Sequence, residues 1–351
     1  MSITSLLKDK NSHVSEWVRE NFTLNKSVQS LTKQYQTLPL GVSPDAVRTL
    51  NHFDELNKLL GQQSDDLLKP IVPPGKKFYP WSAVGRAVEH GLRQSTLQVD
   101  FTDTGAMHAA INHAAVPILK GALAVWWKAT ARNPIVLEDA AWVLYFSALL
   151  ENVYRNADEL RYLQPLEEVF DSIAIDPEWI AFYDEYQKEG LSLTLSDMSL
   201  LEDLPLLMPA PRHVINDIML TTNVAIESDW WMRAVLATDD YIDNPSFAGS
   251  HWVQGADADM LVGHELIEVK TTIHPEQIWT ETLKQLISYV ALDFTDEYTV
   301  DSLGIFLPRQ YGQKLSVSLD EVLTESTFSS RRAMQSSFQK LIGEKVQPLF
   351  A

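Results

Sequence analysis

The sequence predicts an α/β fold: a small mixed β-sheet flanked by helices, with additional helical N-terminal and inserted regions. Short apolar runs bounded by turn residues, which are typical of strands, are confined to residues 246–317. Apolar residues at helical spacing dominate the chain before them. With 351 residues, 45% of them hydrophobic, the chain can bury a large core in one elaborated domain or in two.

Four regions follow from this distribution. Residues 1–75 are a helical N-terminal region, and the proline-rich segment PIVPPGKK marks its end. Residues 76–106 contain the first core helix, which is predicted over 79–97. Residues 107–236 are a helical insertion, and residues 237–351 hold the strands of the core.

A β-hairpin is predicted within residues 255–272, which read GADADMLVGHELIEVKTT. Apolar runs at 260–262 and 266–267 surround Gly263 and His264. Glycine readily adopts the backbone conformation that a tight hairpin turn requires. The turn is therefore expected at this pair.

Four charged side chains lie on the hairpin. Because side chains alternate between the faces of a strand, Asp257 and Asp259 share one face, and so do Glu268 and Lys270. With the turn at the centre of the hairpin, Asp259 lies opposite Glu268, and Asp257 lies opposite Lys270. We expect three acids and one lysine in a single patch. The alternative is an ordinary surface hairpin with a salt bridge.

A helix is predicted after the hairpin, over residues 275–291. Gln285 and Tyr289 stand one turn apart on the same face of this helix. The apolar segments 303–307 and 314–319 then supply further strands.

The acidic patch indicates a metal site. Clustered carboxylates repel each other, a divalent cation relieves that repulsion, and oxygen ligands suit Mg²⁺ or Mn²⁺ better than zinc. The order of Asp259, Glu268 and Lys270, an aspartate followed by acid-x-Lys on the next strand, resembles the signature of the PD-(D/E)XK phosphodiesterase superfamily. This resemblance implies a restriction-endonuclease-like core, in which Asp259 and Glu268 bind the metal together with the Val269 carbonyl. It also implies that Lys270 orients the attacking water and stabilises charge on the phosphate.

A strand with acid-x-Lys-Thr followed by a helix with Gln-x-x-x-Tyr is similar to the RecB-like branch of that superfamily. It also resembles a group of bacterial and phage proteins with GADAD, EVKTT and QxxxY motifs. In this branch Gln285 and Tyr289 would line the substrate side of the site. The superfamily often adds an acid from an earlier helix, which makes Glu89 a metal ligand by resemblance. His90 is the competing candidate, because RecB-like nucleases often use a histidine there, and Asp257 is a further candidate.

The resemblance implies an enzyme, a Mg²⁺- or Mn²⁺-dependent nuclease that hydrolyses phosphodiester bonds in DNA during DNA repair or phage–host defence. The formal net charge of −19 argues against broad electrostatic binding to nucleic acid. This charge favours one alternative, a catalytically silent binding or assembly protein with the same fold. A second alternative is an RNA-directed nuclease. A protein partner or a homo-oligomer remains open.

Composition excludes several other classes. The absence of cysteine excludes disulfides and thiolate zinc sites. Nucleophile-elbow, phosphate-loop and HExxH zinc motifs are absent from the sequence. No apolar run reaches the length of a membrane span, and residues 1–10 lack the features of a secretory signal. We therefore expect a cytoplasmic protein that does not bind membranes.

Overall fold

The chain forms two compact units, Met1–Pro44 with Ser228–Ala351 (the first unit) and Asp45–Glu227 (the second unit). A computed structural model describes residues 3–37, 81–96, 140–148 except 143 and 146, and 212–346 except 254 and 273. The N-terminal helices and the sheet therefore belong to one unit, although the sequence divides them between two regions. The segment PIVPPGKK and most of the predicted insertion lie outside the described residues.

Helices precede, separate and follow the strands of the described chain. The α-helices are α1 (Ile3–Lys8), α2 (His13–Asn21), α3 (Asn25–Thr37), α4 (Trp81–Ser95), α5 (Arg212–Ile226), α6 (Trp279–Leu292), α7 (Leu319–Thr324) and α8 (Arg331–Leu341). The strands are β1 (Tyr241–Asp243), β2 (Met260–Val262), β3 (Glu265–Val269), β4 (Ser302–Leu307) and β5 (Gln313–Ser318). Among the described helices, none combines the length and the hydropathy needed to cross a membrane.

The first unit contains one five-stranded sheet with the strand order β1-β2-β3-β4-β5. The pair β3 and β4 is parallel, and the other neighbouring pairs are antiparallel. The prediction of a mixed sheet flanked by helices is therefore confirmed. Strand β1 lies outside the predicted strand-rich region, because three residues are too few to produce a recognisable alternating pattern.

The predicted hairpin is confirmed as β2 and β3. Its register pairs Met260 with Ile267 and Val262 with Glu265, and Gly263 in the turn has a φ of +59°. Glycine adopts this left-handed conformation without a steric penalty, which explains its place in the turn. Continuing the register by one position sets Asp259 beside Glu268 at the open end of the hairpin.

Helix α6 connects β3 to the parallel strand β4 and packs on the face of the sheet that carries Glu268. Parallel neighbours require such a crossover, because both strands begin at the same end of the sheet and the chain must return to that end. Leu266 and Ile305 of this face are buried in one apolar cluster with Leu286 and Ile287 of α6. The helix predicted over 275–291 is thus confirmed, with a 3₁₀ turn at Pro275–Gln277 before the α-helix begins.

The opposite face of the sheet is covered by aromatic residues. Trp230 and Trp231 pack on Phe306 of β4, with ring centroids 5.0 and 5.2 Å apart. Trp231 is fully buried. Glu268 therefore lies in a sheet that is packed on both faces, which explains why a carboxylate of this strand is withdrawn from water.

Helix α3 covers the β5 edge of the sheet. The side-chain amide of Gln34 in α3 donates to the Ser316 carbonyl of β5 at 2.6 Å and accepts from the Ser316 N–H at 3.0 Å. The amide thus satisfies backbone groups that an edge strand would otherwise expose. Glu325 accepts the N–H groups of Lys26 and Ser27 at the start of α3, at 2.6 and 2.7 Å. The Gln34 bonds thus hold α3 against β5, and Glu325 ties the start of α3 to the end of α7.

The second unit contains α4 and α5. These helices approach closely at Gly91, where a Cβ atom would lie 2.6 Å from Cγ2 of Thr222. A larger side chain at Gly91 would therefore force the helices apart. The helix predicted over 79–97 is confirmed as α4, and the described residues between 140 and 148 are also helical.

Candidate functional site

Asp259 occupies the position directly before β2. Its Oδ2 atom accepts the backbone N–H of Val269 at 2.7 Å. The hydrogen-bonded ladder between β2 and β3 ends at the pair Met260 and Ile267, so the carboxylate takes the place of the next backbone acceptor. This bond ties Asp259 to the end of β3 and orients its carboxylate.

Glu268 and Lys270 lie on one face of the chain at the end of β3. Lys270 Nζ donates to Glu268 Oε1 at 2.7 Å, and the Lys270 N–H donates to the Phe306 carbonyl at 2.9 Å, which holds Lys270 in line with the strand. Glu268 is only 4% exposed. A carboxylate in such surroundings needs a compensating charge or hydrogen-bond donors, and Lys270 supplies the charge.

Gln285 of α6 joins the separate parts of the site. Its Nε2 donates to Glu268 Oε1 at 2.7 Å and to the Tyr289 hydroxyl at 2.8 Å. Its Oε1 accepts from Lys270 Nζ at 3.3 Å. The amide therefore holds the carboxylate and the ammonium relative to each other, and it connects β3 to α6.

Tyr289 supports Gln285 from the core. It is 3% exposed, and its ring stacks on Phe247 with a centroid distance of 5.7 Å. The pKa of its phenol is raised well above the ordinary value of 10.0, first because burial penalises the phenolate and then because the charges of Glu268 and Asp259 oppose a further negative charge. Both carboxylates thus lie within electrostatic range of the phenol.

Tyr289→Phe is expected to make the protein less sensitive to alkaline pH. A folded-state pKa above the unfolded value of 10.0 means that stability is complete below pH 10 and falls as the pH rises towards the folded-state pKa. Above pH 10 this one phenol should lower the free energy of unfolding by about 1.4 kcal/mol per pH unit. Urea unfolding at neutral and alkaline pH measures the difference.

The control for this measurement is Tyr35→Phe. The pKa of Tyr35 is also raised by burial and by Glu276, but Tyr35 is only partly buried. Its replacement should change the alkaline loss of stability less than replacement of Tyr289. An equal alkaline loss in wild type and Tyr289→Phe would contradict the assigned burial of the phenol.

Asp257 forms an isolated antiparallel bridge with Ser246, in the segment that follows β1. The regular pairing of β2 with β3 begins only at Met260, so the predicted place of Asp257 opposite Lys270 stays a prediction. Burial raises the pKa of the Tyr298 phenol, and nearby carboxylates, Asp257 last among them, raise it further. The Tyr298 hydroxyl donates to the Ser246 carbonyl at 2.9 Å.

Glu89 and His90 lie on α4 in the second unit. Glu89 forms an ion pair with Arg93 one helical turn later, with 3.7 Å between Oε1 and Nη1. His90 is buried. The roles of these two residues as a third metal ligand therefore stay predictions.

The donor set fits a hard divalent cation through two carboxylates and one carbonyl. Within the described ranges, no group of three or more His, Asp or Glu side chains is arranged to hold a metal ion. Mg²⁺ commonly binds one or two carboxylates and completes its octahedron with water and substrate phosphates. The N–H and C=O groups of one strand residue point to the same side of the strand. Asp259 accepts the Val269 N–H, so the Val269 carbonyl points to the side of β3 on which Asp259 lies.

Two contributors to the site are absent from the sequence-based prediction. Phe247 stacks on Tyr289, and Gln310 donates to the Thr272 carbonyl at 2.9 Å, which holds the segment after Lys270. Phe247 belongs to an irregular segment, and Gln310 lies in a 3₁₀ turn after β4. Neither segment has a periodic pattern that could indicate its neighbours in space.

The chain matches no protein-family model, no curated protein and no solved structure. Its function must therefore be inferred from the contacts, burial and charges described above. The most informative of these is the continuous set of contacts among Glu268, Lys270, Gln285 and Tyr289.

Proposed function

We propose that this protein is a Mg²⁺- or Mn²⁺-dependent nuclease that cleaves phosphodiester bonds in DNA. The observation that carries the proposal is the contact of Gln285 with both Glu268 and Lys270, beside Asp259 at the end of the hairpin. This arrangement supports a restriction-endonuclease-like core of the PD-(D/E)XK superfamily, in its RecB-like branch. Action in the cytoplasm, in DNA repair or phage–host defence, is part of the proposal.

Asp259, Glu268 and the Val269 carbonyl would hold the cation. When bound, the cation lowers the pKa of a coordinated water and polarises the phosphate. Lys270 orients the nucleophilic water and neutralises charge that develops on the phosphate oxygens. Gln285 keeps Glu268 and Lys270 in a common geometry, and Tyr289 fixes the Gln285 amide from the buried side.

The charge of the chain favours a second candidate function. At a net charge of −19, a binding or assembly protein that has kept the fold without turnover would need no affinity for phosphate. The two functions differ in their need for Lys270. A binding protein does not depend on its ammonium for chemistry, whereas a nuclease does. RNA is the alternative substrate and is tested in the same cleavage assay.

Mn²⁺ and Mg²⁺ should raise the melting temperature of the wild-type protein, because a ligand that binds only the native state stabilises it. A cation present at about 100 times its dissociation constant contributes about 2.7 kcal/mol. Asp259→Asn should abolish the shift, because the amide carries no charge for the cation. Thermal unfolding with and without the cation measures both effects.

Asp239→Asn is the matched control for this experiment. Asp239 is exposed on the loop before β1, so the same chemical change there should leave the cation shift intact. An equal shift in wild type and Asp259→Asn would place the cation elsewhere. Cation-dependent cleavage of DNA by the wild type, blocked by a chelator, then tests the activity itself.

A further inference from the structure

Lys270 and the proposed cation require the same carboxylate. Lys270 Nζ lies 2.7 Å from Glu268 Oε1 and 3.3 Å from Gln285 Oε1. In this structure the ammonium is thus the counter-ion of a carboxylate that is 4% exposed. A divalent cation on Glu268 would bring two like charges into contact range in surroundings that screen them poorly.

The two contacts of Glu268 respond differently to a cation. Gln285 is neutral and donates through Nε2, so it can keep its bonds to Glu268 and Tyr289. Lys270 is positively charged, and its side chain is 25% exposed. The lysine ammonium sits on a flexible four-carbon chain, which allows it to turn towards solvent. The carboxylate therefore exchanges one positive partner for another without losing its position.

We infer that Lys270 is the resting counter-ion of Glu268 and that a divalent cation displaces it. This inference rests on the proposed function and adds an order of events to it. Without the cation, Asp259, Glu268 and Lys270 carry a net negative charge, which disfavours a phosphate. With the cation bound, the same group is positive, and the released ammonium is available to the phosphate. Cation binding thus precedes substrate binding and brings Lys270 into its working position.

Removal of the Lys270 charge should strengthen cation binding. We expect Lys270→Met to bind Mn²⁺ at least about tenfold more tightly than wild type, measured by calorimetry without substrate. Lys284→Met is the matched control. Lys284 pairs with Glu281 at 2.8 Å and is 30% exposed, so it resembles Lys270 in charge and exposure but contacts a different acid. Its replacement should leave the Mn²⁺ affinity close to that of wild type.

A second measurement uses the wild-type protein and does not depend on the stability of a variant. Acetylation of individual lysines, followed by peptide mass mapping, reports how available each ammonium is. Adding Mn²⁺ should increase the acetylation rate at Lys270, because the ammonium leaves Glu268. The rates at Lys284 and at Lys314, which pairs with Glu265 at 2.6 Å, should stay unchanged.

The possible results separate this inference from the proposed function. Clear Mn²⁺ binding with equal or weaker affinity in Lys270→Met, or unchanged acetylation at Lys270 while Mn²⁺ is bound, would overturn the exchange and leave the nuclease proposal standing. Failure of wild type, Lys270→Met and Lys284→Met alike to bind Mn²⁺ would overturn both.

Discussion

Lys270→Met should reduce DNA cleavage by about 100-fold or more, the scale on which preorganised electrostatic groups act in catalysis. Methionine keeps most of the side-chain volume and removes the ammonium that contacts Glu268 and Gln285. Initial rates with Mg²⁺ and Mn²⁺ on a linear DNA measure the effect. Rates equal to those of wild type would refute the assigned role of Lys270.

The same replacement should also lower the free energy of unfolding. The loss should exceed the contribution of a lysine in a surface salt bridge, which is no more than about 1 kcal/mol. Glu268 is almost fully buried, and Lys270 Nζ is its positive partner at 2.7 Å. Breaking a buried pair leaves an uncompensated charge, and the partial exposure of Lys270 moderates the cost. We expect a loss of about 2 kcal/mol in the free energy of unfolding.

Two control variants test this reason for the loss of stability. Lys284→Met, which removes the partner of the exposed Glu281, should cost less than about 0.5 kcal/mol. The double variant Glu268→Gln with Lys270→Met should recover most of the loss, because neither partner is then charged. A double variant less stable than Lys270→Met would show that the charge of Glu268 is not the cause.

Gln285→Ala should cause the second large loss of activity, about 10- to 100-fold, because misplacement of reacting groups by about an ångström has effects of this size. The replacement removes the donor that positions Glu268 and the acceptor that positions Lys270. The cation-induced rise in melting temperature should persist, because Asp259, Glu268 and the Val269 carbonyl remain.

Tyr289→Phe separates the two contacts of the Gln285 amide nitrogen. Without the hydroxyl, the amide loses its bond to Tyr289 and keeps its bond to Glu268. Cleavage should therefore fall less than in Gln285→Ala. A larger loss of cleavage in Tyr289→Phe than in Gln285→Ala would contradict this assignment, because the phenol would then act on the substrate directly. Loss of the cation shift in Gln285→Ala would make Gln285 part of the cation site itself.

Most of the candidate site could be predicted because it depends on short-range spacing. The turn glycine at Gly263 determines the hairpin register, and that register places Asp259 beside Glu268. The helical spacing of Gln285 and Tyr289 explains their mutual hydrogen bond. The place of Asp257 opposite Lys270 stays a prediction, because the regular ladder between β2 and β3 ends at Met260.

The sequence alone thus determined the α/β class, the hairpin, the helix that follows it and most residues of the candidate site. Only the tertiary structure decided the burial of Glu268, the support of Tyr289 by Phe247 and the closure of the β5 edge by Gln34. Each of these depends on segments far apart in the chain. Periodicity and turn residues specify how neighbouring residues are arranged, whereas burial depends on which distant elements cover them.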